Sequence, residues 1–261
     1  MDDDELSPER VREQARYQHR FTNFINQSWV LYPYNVSNPH NQDTRLQIPK
    51  SKGHEAMVYL SYLISNYDSL PWCTFFIHGH FLSWHQETPI PRLINNLNRT
   101  ALAGEGYISL RCDWYPSCPA EIRPYAHDAV VWGPGIQHRV TELAIAGNWK
   151  QLFPEEKLPE TIASPCCAQF AVTRAAIRRR SKHEYVRMRD WLLATLLEDE
   201  VSGRVFEKLW AYIFTGNAVQ YVVSNCIHAS IGAKHRQLST APTVRLRVFR
   251  SMRRPRMAEA A

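Results

Sequence analysis

The segment His78-Gly79-His80, followed by Trp84-His85-Gln86, gathers three imidazoles within eight residues. A glycine between two histidines lets the backbone turn sharply, so His78, His80 and His85 can converge on one point. Imidazoles there can act as general bases, hydrogen-bond donors or metal ligands. Three histidines can hold zinc, but the spacing supplies no fourth ligand, and no metal is expected. A second group is Gly53-His54-Glu55 at the start of a helix, where a carboxylate is favoured by the dipole with or without a ligand. Arg204 and Glu207 lie three apart on a later helix. They form either a surface ion pair, worth well under about 1 kcal/mol, or part of a binding site. Ser202-Gly203-Arg204 offers backbone N–H groups and a guanidinium to a phosphate at a helix N-terminus. Cys166-Cys167-Ala168-Gln169 precedes a strand. A nucleophilic cysteine in it needs a neighbouring base, and buried, inert thiols are the plain alternative.

The elements that must position these groups follow from periodicity. Residues 8–27 read as a helical arm and Ser28 to Tyr34 as a short first strand. Residues 35–52, polar and holding Pro39 and Pro49, read as a loop. Met57, Leu60, Leu63, Ile64 and Tyr67 keep helical spacing over 54–67. Cys73 to Ile77 is a compact apolar run, a buried strand that ends on His78. A helix opens at Pro91, a strand alternates over 107–111, and 113–147 reads as a long ordered excursion rich in Pro and Gly. Cys166 to Val172 is a further strand running into a basic helix from Thr173. Helices over 184–197 and 202–214 close the domain. Strands alternating with helices predict an α/β domain with a mostly parallel central sheet flanked by helices. Ligands of such sheets bind at the carboxyl ends of strands, where His78, Asp113 and Arg174 fall.

Composition narrows the class. Of 261 residues, 44% are apolar and 21% charged, with 8 Trp, 12 Tyr and 10 Phe, which excludes a wholly disordered chain. No apolar run approaches the roughly 20 residues of a spanning helix. The start, Met1 to Glu5, is acidic where a secretory signal is basic and then apolar, so a cytoplasmic location is expected. Six cysteines without CxxC spacing predict reduced thiols. The net charge of +6 is unevenly placed. Residues 234–256 hold eight Lys or Arg and no acid, and Arg174 to Arg189 holds seven against Glu184 alone. Two such blocks suit a polyanion or an anionic surface, and equally a solvated tail and helix face. We therefore expect an arm at 1–27, one α/β domain at 28–232 and a basic C-terminal tail at 233–261.

The segments GHEAMVYLSYLISNYDSLPWCTFFIHGHFLSWHQ (53–86), GYISLRCDWYPSCP (106–119), WKQLFP (149–154), CCAQFAVTR (166–174) and RDWLLATLLEDEVSGRVFEKLW (189–210) carry a resemblance. In order and spread over 53–210, they resemble a fungal domain family of formerly unassigned function. Its cytosolic branch is similar to the arginine-containing cyclodipeptide synthases, and its CCAQF segment is similar to nucleotide-sugar glycosyltransferases. The resemblance implies a glycosyltransferase-A-like fold. It also implies an aminoacyltransferase that joins arginine to a second amino acid as cyclo-(Arg-Xaa), a diketopiperazine of secondary metabolism. Its donors would be arginyl-tRNA and a second aminoacyl-tRNA, with no cofactor and no protein partner. Sugar transfer normally wants an Asp-x-Asp after a strand. Here strand 73–77 is followed by His-Gly-His, and the one Asp-x-Asp lies at residues 2–4. A glycosyltransferase-like enzyme and a non-catalytic RNA-binding protein are the alternatives.

The implied reaction assigns roles. A guanidinium wants a carboxylate fork, for which Glu55 and Glu207 rank ahead of Asp113 and Asp190. Deprotonating an α-amine needs only a modest base: His78, His80, His85 or a carboxylate. The oxyanion calls for backbone N–H groups, Arg174 or Arg204. Gln169 and Trp84 complete the expected substrate pocket, and Cys167 is the candidate nucleophile if an acyl-enzyme forms, ahead of Ser83 and Ser202. Arg178, Arg179, Arg180, Lys182, Arg245, Arg247, Arg250, Arg253 and Arg254 are expected to contact tRNA.

Overall fold

The computed structural model describes residues 29–36, 43–78, 89–111, 114, 117, 120–129 and 138–220, and the backbone of a strand at 244–250. The expected arm at 8–27, His80, Ser83, Trp84, His85, Asp113, Arg253 and Arg254 lie outside these residues.

Strand β3 (Cys73–His78) is buried along almost its whole length, so both faces of the sheet are covered. Its side chains alternate between two apolar clusters. Phe76 joins the larger cluster, whereas Cys73, Phe75 and Ile77 join the smaller. Strand β4 (Tyr107–Ser109) and strand β5 (Phe170–Thr173) divide in the same way. On the larger side lie α1 (Glu55–Asn66), α4 (His138–Leu152), α6 (Lys182–Ala194) and α7 (Asp199–Thr215). On the other side lie α2 (Ile90–Asn95) and α3 (Arg99–Glu105). A helix–sheet–helix arrangement results, as α/β patterning predicts. Helix α1 is apolar all round, buried from Ala56 to Ile64, and forms the centre of the large layer. Tyr59, Phe76, Phe170, Trp210 and Phe214 stack beside it as a rigid aromatic floor.

Sheet direction departs from expectation. β5 lies between β3 and β4 and runs antiparallel to both, with Phe76 opposite Phe170 and Tyr107 opposite Val172. On the far side of β3, β6 (Val244–Arg250) pairs in parallel with β3 and with β1 (Trp29–Leu31), while β2 (Tyr34–Asn35) also pairs with β6. The sheet is mixed, not mostly parallel. The alternation of strand and helix presumes that each connection returns the chain to the same end of the sheet. Between β4 and β5 it does not. After β4 the chain turns through Ile122, bridged to Ile162, and α4, and then re-enters from the end where β3 and β4 finish.

Other boundaries moved for local reasons. The excursion expected over 113–147 already becomes helix α4 at His138. The basic helix from Thr173 splits into one short turn, α5 (Arg174–Ile177), capped by Thr173, and α6, which starts anew on a Ser181–Glu184 capping box. Strand β6 falls within the segment read as a basic tail. Its alternation Val244-Arg245-Leu246-Arg247-Val248 has the two-residue period of a strand. Among the described residues, no helix is long and apolar enough to cross a membrane.

Candidate active site

Two glycines seat the start of α1 against α6 and α7. Gly53 has φ +62°, and a Cβ there would meet Leu192 Cδ1 at 2.7 Å. A Cβ on Gly203 would meet His54 Cδ2 at 2.8 Å and the Gly53 carbonyl oxygen at 3.0 Å. Neither position has room for a side chain, so the turn before α1 rests directly on the second turn of α7. His54, also at positive φ, begins the helix without a side-chain cap. The Gly53 N–H donates to Asp199 Oδ1 at 3.3 Å, and Lys52 Nζ donates to the Leu197 carbonyl at 3.2 Å. This joint sets Glu55, at the start of α1, beside Arg204 and Glu207 of α7.

A third wall is the turn between Cys166 and Gln169. Cys167 and Ala168 both have positive φ, at 84° and 45°. The Tyr59 hydroxyl donates to the Ala168 carbonyl at 3.0 Å, and the Cys167 N–H donates to Glu207 Oε1 at 3.1 Å. Gln169, buried, accepts the His78 backbone N–H on its Oε1 at 3.1 Å. The end of β3, the start of β5, α1 and α7 thus bring Glu55, Glu207, Arg204, His78, Gln169 and Cys167 into one neighbourhood.

Two glutamates in that neighbourhood have opposite electrostatics. Burial, helped by the Glu207 charge, pushes the Glu55 carboxyl up to about 8 in spite of Arg204. Burial acts on Glu207 too, but Lys208, Arg204, the Cys167 N–H and His78 hold it below the ordinary carboxylate value. At neutral pH one carboxyl is mostly protonated and its neighbour is an anion. Acid–base sites set two carboxyls apart in this way, and so do structural ion-pair networks.

Behind Glu207 lies a group that sequence reading missed. Lys208 is 3% exposed, and its Nζ lies 2.8 Å from Glu121 Oε2, 2.9 Å from Ser117 Oγ and 3.5 Å from Glu207 Oε1. Glu121 is fully buried, and burial raises its carboxyl against the pull of Lys208. A signal was present: Val201, Val205, Lys208 and Tyr212 follow helical spacing, which puts a lysine on an apolar stripe. Glu121, in an irregular segment, carried no such signal.

Several expected site residues go elsewhere. Because β5 runs against β3, Arg174 is at the opposite end of the sheet from His78. Its N–H donates to the Trp72 carbonyl, and the residue is exposed. Only parallel strands would have brought the two together. Asp190 is exposed and lies 3.8 Å from Arg189. Ser202-Gly203-Arg204 is not at a helix N-terminus, because α7 begins at Asp199. The Ser202 N–H and hydroxyl both donate to the Glu198 carbonyl, which leaves nothing for a phosphate. Arg204 pairs with Glu200 at 3.6 Å. Cys167 is joined to Cys166 by a disulfide between adjacent residues, so in this state it is neither a nucleophile nor a reduced thiol. Cys73 is free and buried, and burial pushes its thiol up to about 12.

The first basic block divides. Arg178, Arg179 and Lys182 are exposed, with Lys182 2.9 Å from Asp68. Arg180 is buried instead. It donates to the Ile213 carbonyl, to both oxygens of Glu156 and to Glu184, and it lies over the Phe153 ring. It is a structural cation rather than a nucleic-acid contact. Arg245, Arg247 and Arg250 belong to β6.

A mixed α/β domain with an asymmetric pair of recessed carboxylates, backed by a buried lysine, is the class of protein that this geometry defines. Its sequence profile completes the assignment: over residues 13–228 the chain belongs to the family described as "Protein of unknown function (DUF3431)". No curated protein and no solved structure matches it.

Proposed function

We propose that the chain is an aminoacyl-tRNA-dependent cyclodipeptide synthase that makes cyclo-(Arg-Xaa) in the cytoplasm for secondary metabolism. The observation that carries this reading is the Glu55–Glu207 pair. An aminoacyl ester is already activated, so the enzyme needs no adenylating site. It must hold a cationic substrate and move one proton at a time. Glu207, a standing anion, holds the cation, either a guanidinium or an ammonium. Glu55, at about 8, is matched to an α-amino group that titrates near roughly 7.7 to 8.0.

The chemistry balances on these two groups. One α-amine attacks the ester carbonyl carbon of the other aminoacyl-tRNA, and a C–N bond forms. The ionised form of Glu55 takes the proton that the amine gives up. The C–O bond then breaks, and Glu55 returns that proton to the departing ribose oxygen. The free amine of the resulting dipeptidyl ester attacks the remaining ester within the same molecule, and the second tRNA leaves in the same way. Proximity removes most of the entropic cost of that closure. Arg204, whose charge acts on both glutamates, suits the oxyanion. The exposed Arg174, Arg178, Arg179 and Lys182 support a polyanionic partner.

The test is expression in bacteria, whose charged tRNAs supply every donor, with mass spectrometry of the extract for arginine-containing diketopiperazines. A new cyclo-(Arg-Xaa) mass, lost from a lysate assay on ribonuclease treatment and lost in Glu55→Gln, supports the proposal. Folded protein that yields no such mass refutes it.

A further inference from the structure

A buried lysine needs one carboxylate to be stable, because an unpaired ammonium away from water costs several kcal/mol. Lys208 has that partner in Glu121, and Ser117 Oγ takes a further N–H. Yet the same ammonium also lies 3.5 Å from Glu207 Oε1, whose side chain is 19% exposed. It is therefore shared between a carboxylate with no access to solvent and one that borders the site. We infer that Lys208 is a positioning residue: held from behind by Glu121 and Ser117, its ammonium fixes Glu207 as the anion of the Glu55–Glu207 pair and leaves the mobile proton to Glu55.

Other groups around Glu207 set the background. Arg204 comes from its own helix, the Cys167 N–H from the 166–169 turn, His78 from the end of β3, and Glu55 from α1. Arg204 acts on both glutamates and also pairs with Glu200, so it does not choose between them. Among the groups that lower Glu207, Lys208 acts most strongly, ahead of Arg204, the Cys167 N–H and His78. The consequence is a division of labour: a cation-holding carboxylate that does not titrate in the working range, beside one that does.

The inference rests on reading Glu55 and Glu207 as the working pair, but its test does not require turnover. With 13C-carboxyl-labelled glutamate in the full chain, Glu55→Gln and Glu207→Gln assign the two resonances, and each is followed with pH. In wild type, Glu207 ionises below Glu55. Lys208→Met with Glu121→Gln removes both charges of the clamp together, so neither charge is left buried alone. In that variant Glu207 moves up by about one to three pH units and Glu55 moves down. Lys208→Arg keeps the wild-type order. A wild type in which Glu55 ionises first overturns the inference, as does a double variant whose Glu207 titration is unmoved. If the protein makes a cyclic dipeptide, the double variant also shifts the acid limb of kcat/KM, and Lys208→Arg restores it. If it makes none, the proposed activity fails, while the order of ionisation still stands or falls by itself.

Discussion

The raised carboxyl of Glu55 gives stability a pH dependence that can be worked out in advance. Its value climbs from the ordinary 4.5 to about 8 on folding. The native state therefore binds this proton more tightly than the unfolded chain does. Below pH 4.5 both states carry it and nothing is lost. Between 4.5 and 8 the unfolded chain releases the proton while the native state retains it, so stability falls as pH rises through that window. At 1.36 kcal/mol per pH unit the full loss is about 5 kcal/mol, and partial solvent access at the pocket mouth trims it to about 3. Glu207 does not blur the comparison. Its carboxyl is lowered, so its contribution is present above the ordinary carboxylate range and lost only as pH falls below it. Glu55→Gln removes the proton and keeps the shape. Urea unfolding at pH 5 and pH 8 is the assay. The wild type should lose roughly 2 kcal/mol more between these pH values than Glu55→Gln does. Equal slopes for the two proteins would mean that Glu55 is solvated and ordinary, and the acid–base division of the site would go with it.

Four further outcomes follow from the structure. Gly203→Ala places a methyl 2.8 Å from His54 Cδ2 and 3.0 Å from the Gly53 carbonyl, so thermal melting should show about 1 to 3 kcal/mol of destabilisation, with Gly147→Ala, which meets nothing, as the control. Arg180→Met leaves Glu156 to Tyr212 and Glu184 to Ser181 and should cost about 1 to 3 kcal/mol without changing RNA affinity. Arg178→Gln with Arg179→Gln should leave stability within about 0.5 kcal/mol and lower the salt slope of RNA binding by roughly one per charge removed. Alkylation before and after reduction, read by peptide mass spectrometry, should leave Cys166 and Cys167 unmodified in the first case and label both in the second. Labelling of both without reductant would contradict the bond between them.

What the sequence determined by itself was local. The apolar spacing of 54–67 and the compact run 73–77 predicted α1 and β3 to within a residue or two, because side-chain periodicity is set by backbone geometry. Residue chemistry likewise singled out Glu55, Glu207, His78, Gln169 and Cys167. What the tertiary structure decided was direction and company. β5 runs against β3, which moved Arg174 to the far end of the sheet while drawing Gln169 to His78. No one-dimensional pattern records that reversal, since a strand reads the same whichever way it enters the sheet. Burial decided the rest. It made Arg180 a structural cation and Arg178 a surface one, two residues apart in the same basic run. Lys208 and Glu121 are 87 positions apart and meet only because α7 and the loop before α4 enclose them together, where water no longer screens one charge from the other.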